Sequence, residues 1–120
     1  MRAFIGGELR RFANTCRWSV QGWRAAWATE KSLRQWCLVN ALSAMLAFTL
    51  DLATGERALI LALGLLILAA ELFNTAIEEV VDLASPERHP GAGKAKDCGS
   101  AAVALTAIAG GLAWLVILLG

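Results

Sequence analysis

Residues 98–120 carry no Asp, Glu, Lys, Arg or His over 23 consecutive positions. At about 1.5 Å of rise per residue, a helix of that length crosses the roughly 30 Å hydrocarbon core of a bilayer. Two further runs point the same way. Residues 35–50 are uncharged, and the flanking residues from Leu33 lengthen that run. Residues 58–70 are apolar and continue to Ile77, about 20 residues in all, if Glu71 and Asn74 are tolerated inside a membrane. The expected architecture is therefore an all-α membrane protein: one integral membrane domain over 1–120, with transmembrane helices near 33–51, 57–82 and 98–119. Composition agrees, since 58% of the residues are hydrophobic, above the roughly 45–50% of soluble domains.

Charge sets the expected orientation. Arg2, Arg10, Arg11, Arg17, Arg24, Lys31 and Arg34 precede the first span, and Arg88, Lys94 and Lys96 lie between the second and third. The link between the first two spans has only Arg57. The positive-inside rule then places the N-terminus and the second connection in the cytoplasm and the C-terminus outside. Both prolines, Pro86 and Pro90, with Gly91 and Gly93, mark 84–97 as a loop, and a helix is expected to resume at Asp97 or Ser100. A net charge of +1 excludes a strongly basic nucleic-acid binder. Cys16, Cys37 and Cys98 form no CxxC pair, which excludes a disulfide scaffold and a cysteine-based zinc site, and they read as small buried hydrophobes. The N-terminus, interrupted by Glu8, Arg10 and Arg11, lacks the apolar core of a secretory signal.

A separate element is expected over about 8–28. Leu9, Phe12, Ala13, Cys16, Val20, Trp23 and Trp27 recur at three- and four-residue intervals and share one helical sector, while Arg10, Arg11, Asn14, Arg17, Gln21 and Arg24 fall outside it. Such a helix lies in the headgroup plane with its bases toward anionic lipid. Trp18 stands on the opposite side. Trp18, Trp23, Trp27 and Trp36 cluster at this end of the chain, and Trp114 lies near the far end of the third span, both suited to interfacial anchoring.

The second span carries the chemistry. Taking Glu71 as zero, Asn74, Glu78 and Asp82 project at about −60°, −20° and +20°, so all four share one stripe of an apolar helix. Glu79 points about 80° away, toward water. Glu71 lies about 10 Å deeper than Glu78. A carboxylate there costs a few kcal/mol on insertion scales, so such acids face a protein interior and serve a function. Aligned carboxylates without a His or Cys partner suit a hard, oxygen-seeking cation such as Mg²⁺. Glu30 could reach the same zone from another element. Lys94 and Lys96 precede a helix start, which favours anions. Metal carboxylates, a base and lysines are the components of phosphoryl transfer, although GAGKAK (91–96) matches neither GxxxxGK[ST] nor GxGxxG. From spacing alone the reaction stays open.

At ELFNTAIEEVVD (71–82), GKAKDCGSAAV (93–103) and GWRAAWATEKSLRQ (22–35) the chain resembles the small prokaryotic diacylglycerol kinases over nearly its whole length, from about Arg11 to Leu119. The resemblance implies a homotrimer of three-span subunits in the bacterial inner membrane, with active sites shared between subunits. It implies transfer of the γ-phosphate of ATP, with Mg²⁺ as cofactor, to the free hydroxyl of diacylglycerol, giving phosphatidate. By resemblance Glu71 is the general base and Asn74 its supporting amide. Glu30 and Glu78 hold metal and nucleotide. Arg11, Glu87, Arg88, His89, Lys96 and Asp97 contact ATP. Arg24, Trp27, Ser100 and Trp114 line the lipid site with Glu71. Thr29, where an Asn usually precedes the acid, Trp36 for a Glu, Trp18 for a Tyr and Asn14 for a Lys depart from the better-known members. Withdrawal of Glu71 from water would make it the stronger proton acceptor for a lipid hydroxyl. Ala102, Thr106 and Gly110 form a small-residue seam for close helix packing.

Three other functions compete. An undecaprenol kinase shares the fold and core acids. A small proton-coupled transporter also uses a membrane glutamate, but usually with four spans and no basic ATP-side residues. A non-catalytic membrane adaptor would need none of these acids.

Overall fold

The computed structural model describes residues 1–120, which form four α-helices and no strand. The chain divides into two compact units, Met1–Glu30 and Lys31–Gly120.

The first unit is one helix, α1 (Arg2–Thr29). It begins about six residues before the expected start, the Ile5 N–H donating to Met1 O at 3.0 Å. Gly6 and Gly7 do not interrupt it, because Ile5 stands four residues before Leu9 and prolongs the same apolar stripe by a turn. Ile5, Leu9, Phe12, Val20 and Trp27 on that stripe are all exposed. Trp23 and Trp27 stack with centroids 6.1 Å apart. Trp18 is 60% exposed on the other side. The helix stops at Glu30, whose backbone turns extended (φ −97°, ψ 105°) while its N–H still donates to Ala26 O at 2.7 Å.

The second unit is a three-helix arrangement of α2 (Lys31–Thr49), α3 (Thr54–Ala84) and α4 (Pro90–Leu119). In it α3 packs against both α2 and α4. Residue pairing makes each neighbour antiparallel to α3: Asn40 and Ala47 of α2 meet Gly64 and Arg57, and Lys96 and Gly99 of α4 meet Asp82 and Asn74. The α2–α3 link is tied by side chains. The Arg57 Nε–H donates to Ala47 O at 2.8 Å, satisfying a carbonyl in the last turn of α2, and its guanidinium lies over the Phe48 ring. Glu56 accepts from the Ala53 N–H at 2.9 Å and caps α3.

Two helices, α3 and α4, are long and apolar enough to cross a membrane, with mean hydropathy of 2.1 and 2.4 over their most apolar 18-residue stretches. The 19 residues of α2 fall below that level because Lys31, Arg34, Gln35 and Asn40 sit within them. On α4, Leu105, Ile108, Leu112, Leu115, Val116, Leu118 and Leu119 are exposed, an apolar surface for lipid or for another chain.

Three expectations need correction. Helix α4 starts at Pro90, seven residues before Asp97, so the connection shrinks to residues 85–89 and Lys94, Lys96 and Asp97 are helical. Proline read there as a loop marker, yet its fixed φ and missing N–H suit a first helical position. His89 completes the start, its Nδ1 accepting from the Gly91 N–H at 3.0 Å. The small-residue seam is also displaced. The buried positions of α4 are Gly99 and Val103, and Ala102 is exposed, because α3 approaches one turn nearer the start of α4. Finally, Cys16 and Cys98 are exposed rather than buried, and all three cysteines are free thiols.

Candidate active site

The buried positions of α3 are Ile60, Ile67 and Glu71, spaced by seven and four residues along a single helical face. Glu71 thus continues an apolar contact stripe and is only 5% exposed, the one charged residue in the buried set. Its neighbours on the stripe become progressively wetter: Asn74 and Glu78 are half-buried, and Asp82 is exposed. Glu79, off the stripe, is exposed. This gradient separates four aligned polar groups into different electrostatic environments.

Asn74 is the central group. Its Nδ2–H donates to Glu78 Oε1 at 3.4 Å, and its Oδ1 is buried without a hydrogen-bond partner. Both facts follow from the opposite helix. Gly99 faces Asn74 so closely that a Cβ there would collide with Oδ1 and touch Ile77 Cδ1 at 3.5 Å. Burying an amide oxygen unpaired costs about 1–3 kcal/mol, so the fold keeps this close approach of Asn74 to Gly99 at a cost in stability.

One turn toward the end of α3, Lys96 reaches across from α4 and pairs with Asp82. Lys96 stands in the turn of α4 before the uncharged run. Its hydrogen bond to Asp82, assisted by the charges of Asp82 and Glu78, holds the ammonium protonated above the ordinary lysine range. Beyond this pair a cavity of about 540 Å³ opens between the end of α3, the connection and the start of α4. Its walls include Asp82, Glu87, Arg88, His89 and Lys96. The early start of α4 brings its N-cap, His89, and Lys96 of its second turn onto the wall of this space.

Of the residues singled out in sequence, Glu71, Asn74 and Glu78 are therefore one contiguous set, with Glu87, Arg88, His89 and Lys96 around the adjoining cavity. Asp97 and Ser100 are exposed on α4. Trp114 stands apart. It lies fifteen residues beyond Gly99, about 22 Å along α4, where its Nε1–H donates to Ser43 Oγ at 2.8 Å. There it lines a separate cavity of about 260 Å³ with Trp36 and Asn40. Within the first unit, Arg11 pairs with Glu8 at 3.0 Å, Arg24 is exposed, and Glu30 accepts from Thr29 Oγ1 at 3.0 Å. Two residues were missed as parts of the site, Gly99 and the pairing role of Asp82. Asp82 was visible on the stripe, whereas Gly99 gave no local signal.

No three His, Cys, Asp or Glu side chains converge within the chain. Mg²⁺ commonly takes only one or two protein carboxylates and completes its shell with phosphate and water. Glu78, half-buried and held by the Asn74 Nδ2–H, is one carboxylate of that kind, while Asn74 Oδ1 is packed against Gly99.

Comparison with known proteins points to one family. The family model described as prokaryotic diacylglycerol kinase matches residues 17–118. The chain is 48% identical over 114 residues to the diacylglycerol kinase of Pseudomonas aeruginosa, covering 93% of this chain and 91% of that one. It is 36% identical over 108 residues to the diacylglycerol kinase of Escherichia coli K12, covering 90% and 88%. Against the diacylglycerol kinase of Helicobacter pylori 26695 the identity is 33% over 106 residues, covering 88% and 83%. A family match over residues 17–118, joined to relatives 33–48% identical over most of the chain, leads to one assignment: the chain belongs to the prokaryotic diacylglycerol kinase family.

Proposed function

We propose that this chain phosphorylates diacylglycerol at the expense of ATP, with Glu71 as the general base. The observation that carries the reading is the burial of Glu71 at 5% exposure on the stripe that leads to the cavity at the end of α3. The lipid hydroxyl oxygen forms a bond to the γ-phosphorus while the bond from that phosphorus to the β,γ-bridging oxygen breaks. ADP leaves and the hydroxyl proton passes to a Glu71 carboxylate oxygen. Burial suits Glu71 to this step, since it keeps bulk water away from the proton transfer. Asn74, bonded to Glu78, keeps the acids of the stripe in fixed orientation.

Lys96, with Arg88 and His89 on the cavity wall, supplies positive charge and donors for the triphosphate. Arg11, Glu87 and Asp97 complete the proposed nucleotide contacts. Glu30 and Glu78 are the acids that would hold Mg²⁺, whose chemistry is to offset charge on the phosphate oxygens. Arg24, Trp27, Ser100 and Trp114 are assigned to the lipid, whose acyl chains are long enough to extend along α4.

The reading includes α2 as a third span, with the N-terminus and site in the cytoplasm and the C-terminus outside. It also includes a homotrimer with shared sites in the bacterial inner membrane. The exposed apolar face of α4 supports an apolar covering of either kind, lipid or subunit.

The test is transfer of label from [γ-³²P]ATP into lipid, with and without Mg²⁺, offering diacylglycerol and undecaprenol separately. Label in phosphatidate that requires Mg²⁺ and is lost in Glu71→Gln supports the reading. Label confined to undecaprenyl phosphate replaces the substrate, and full activity of Glu71→Gln removes the proposed base.

A further inference from the structure

The Asp82–Lys96 pair sits on the wall of the cavity assigned to nucleotide, and Asp82 has no place in the proposed reaction. Asp82 and Glu87 balance Arg88 and Lys96 among the charged residues of that wall. A polyphosphate entering the cavity therefore meets a surface whose attraction is cancelled, and the Asp82 carboxylate occupies donors of the Lys96 ammonium. The pair is open to water, with 66% of the Asp82 side chain and 39% of the Lys96 side chain exposed. Exposed pairs contribute little rigidity, so Asp82 does little to position Lys96. We propose that Asp82 is an affinity-limiting counter-ion, a built-in competitor that weakens ATP binding by holding Lys96 and lending the cavity a negative charge.

This inference rests on the reading of Lys96 as a nucleotide ligand. A kinase that must release ADP on each turnover gains from weaker nucleotide binding, because uniform binding energy lowers KM without raising kcat.

The experiment uses the full-length protein in diacylglycerol-containing mixed micelles. It measures the KM for ATP and the Kd of a non-hydrolysable ATP analogue for the parent, Asp82→Asn, Asp82→Ser, Lys96→Met and the Asp82→Asn/Lys96→Met double variant. Either Asp82 substitution is expected to lower both constants about 2- to 5-fold, the range of an exposed ion pair, with the gain shrinking as salt is raised. The gain disappears in the Lys96→Met background. Unchanged or raised constants in Asp82→Asn overturn the proposal, as does a gain that persists without Lys96, or loss of folding in both Asp82 variants. Normal nucleotide binding by Lys96→Met shows instead that the nucleotide role of Lys96 has failed, and the inference falls with it.

Discussion

Gly99→Ala is the sharpest test of how α3 and α4 hold the site. The added Cβ would collide with Asn74 Oδ1, and the Asn74 Cγ and Ile77 Cδ1 atoms lie at 3.4 and 3.5 Å from it. Asn74 must turn away, or the helices must part. Turning away breaks the 3.4 Å bond to Glu78, worth about 1 kcal/mol. Parting the helices loosens the packing of Val103 and incurs the general cost of overfilling a packed site, about 1–3 kcal/mol. Helix propensity favours alanine over glycine by about 1 kcal/mol, which recovers part of this loss. The net expectation is about 0–2 kcal/mol of destabilisation, with turnover reduced because the displaced amide leaves Glu78 without its donor. Gly111 on the same helix is the control, since nothing lies within 4 Å of its added Cβ within the chain. Reversible unfolding in mixed micelles, followed by circular dichroism alongside lipid kinase turnover, compares the two. Parent-like stability and turnover in Gly99→Ala would refute the close approach of Gly99 to Asn74 as the element that sets the site.

Glu71→Gln keeps the shape of the side chain and removes its capacity to accept a proton. A fall in kcat of about 10²- to 10⁴-fold with near-normal nucleotide binding is expected from single-turnover and binding measurements. Glu78→Gln should weaken nucleotide binding in Mg²⁺-containing buffer, and a titration in which Mg²⁺ still strengthens binding as in the parent contradicts its assignment. Arg57→Ala removes the donor to Ala47 O and the stack on Phe48, so the midpoint of unfolding should fall by the equivalent of about 1–2 kcal/mol. Reporter fusions should place the two chain ends on opposite faces of the membrane. Both ends on one face would mean that α2 does not span.

Local pattern accounts for most of the architecture. The uncharged run of 98–120 and the apolar run of 58–70 appear as the two most apolar helices, because chain length and side-chain hydropathy alone decide whether a helix can sit in lipid. The stripe of Glu71, Asn74, Glu78 and Asp82 was legible for a similar reason: 3.6 residues per turn places those spacings on one face whatever packs against it. The reading failed at Pro90, where one residue type has two meanings. Proline ends a helix from within and begins one from its first turn, and the His89 cap that selects the second meaning is a side-chain geometry.

Helical periodicity states which face a residue occupies but not what stands opposite it, nor at what height. That the acids divide into a buried Glu71, an Asn74–Glu78 pair and an Asp82 tied to Lys96 follows from the level at which α4 crosses α3. That level is set by Gly99, whose missing side chain admits Asn74, and by a connection of only five residues over 85–89. Residues 74 and 99 are 25 positions apart, beyond the reach of any single-helix rule. The chain's own order thus settles the two most apolar helices and the acidic face. The division of labour among those acids arises only when the helices meet, because burial and ion pairing belong to pairs of surfaces and not to one.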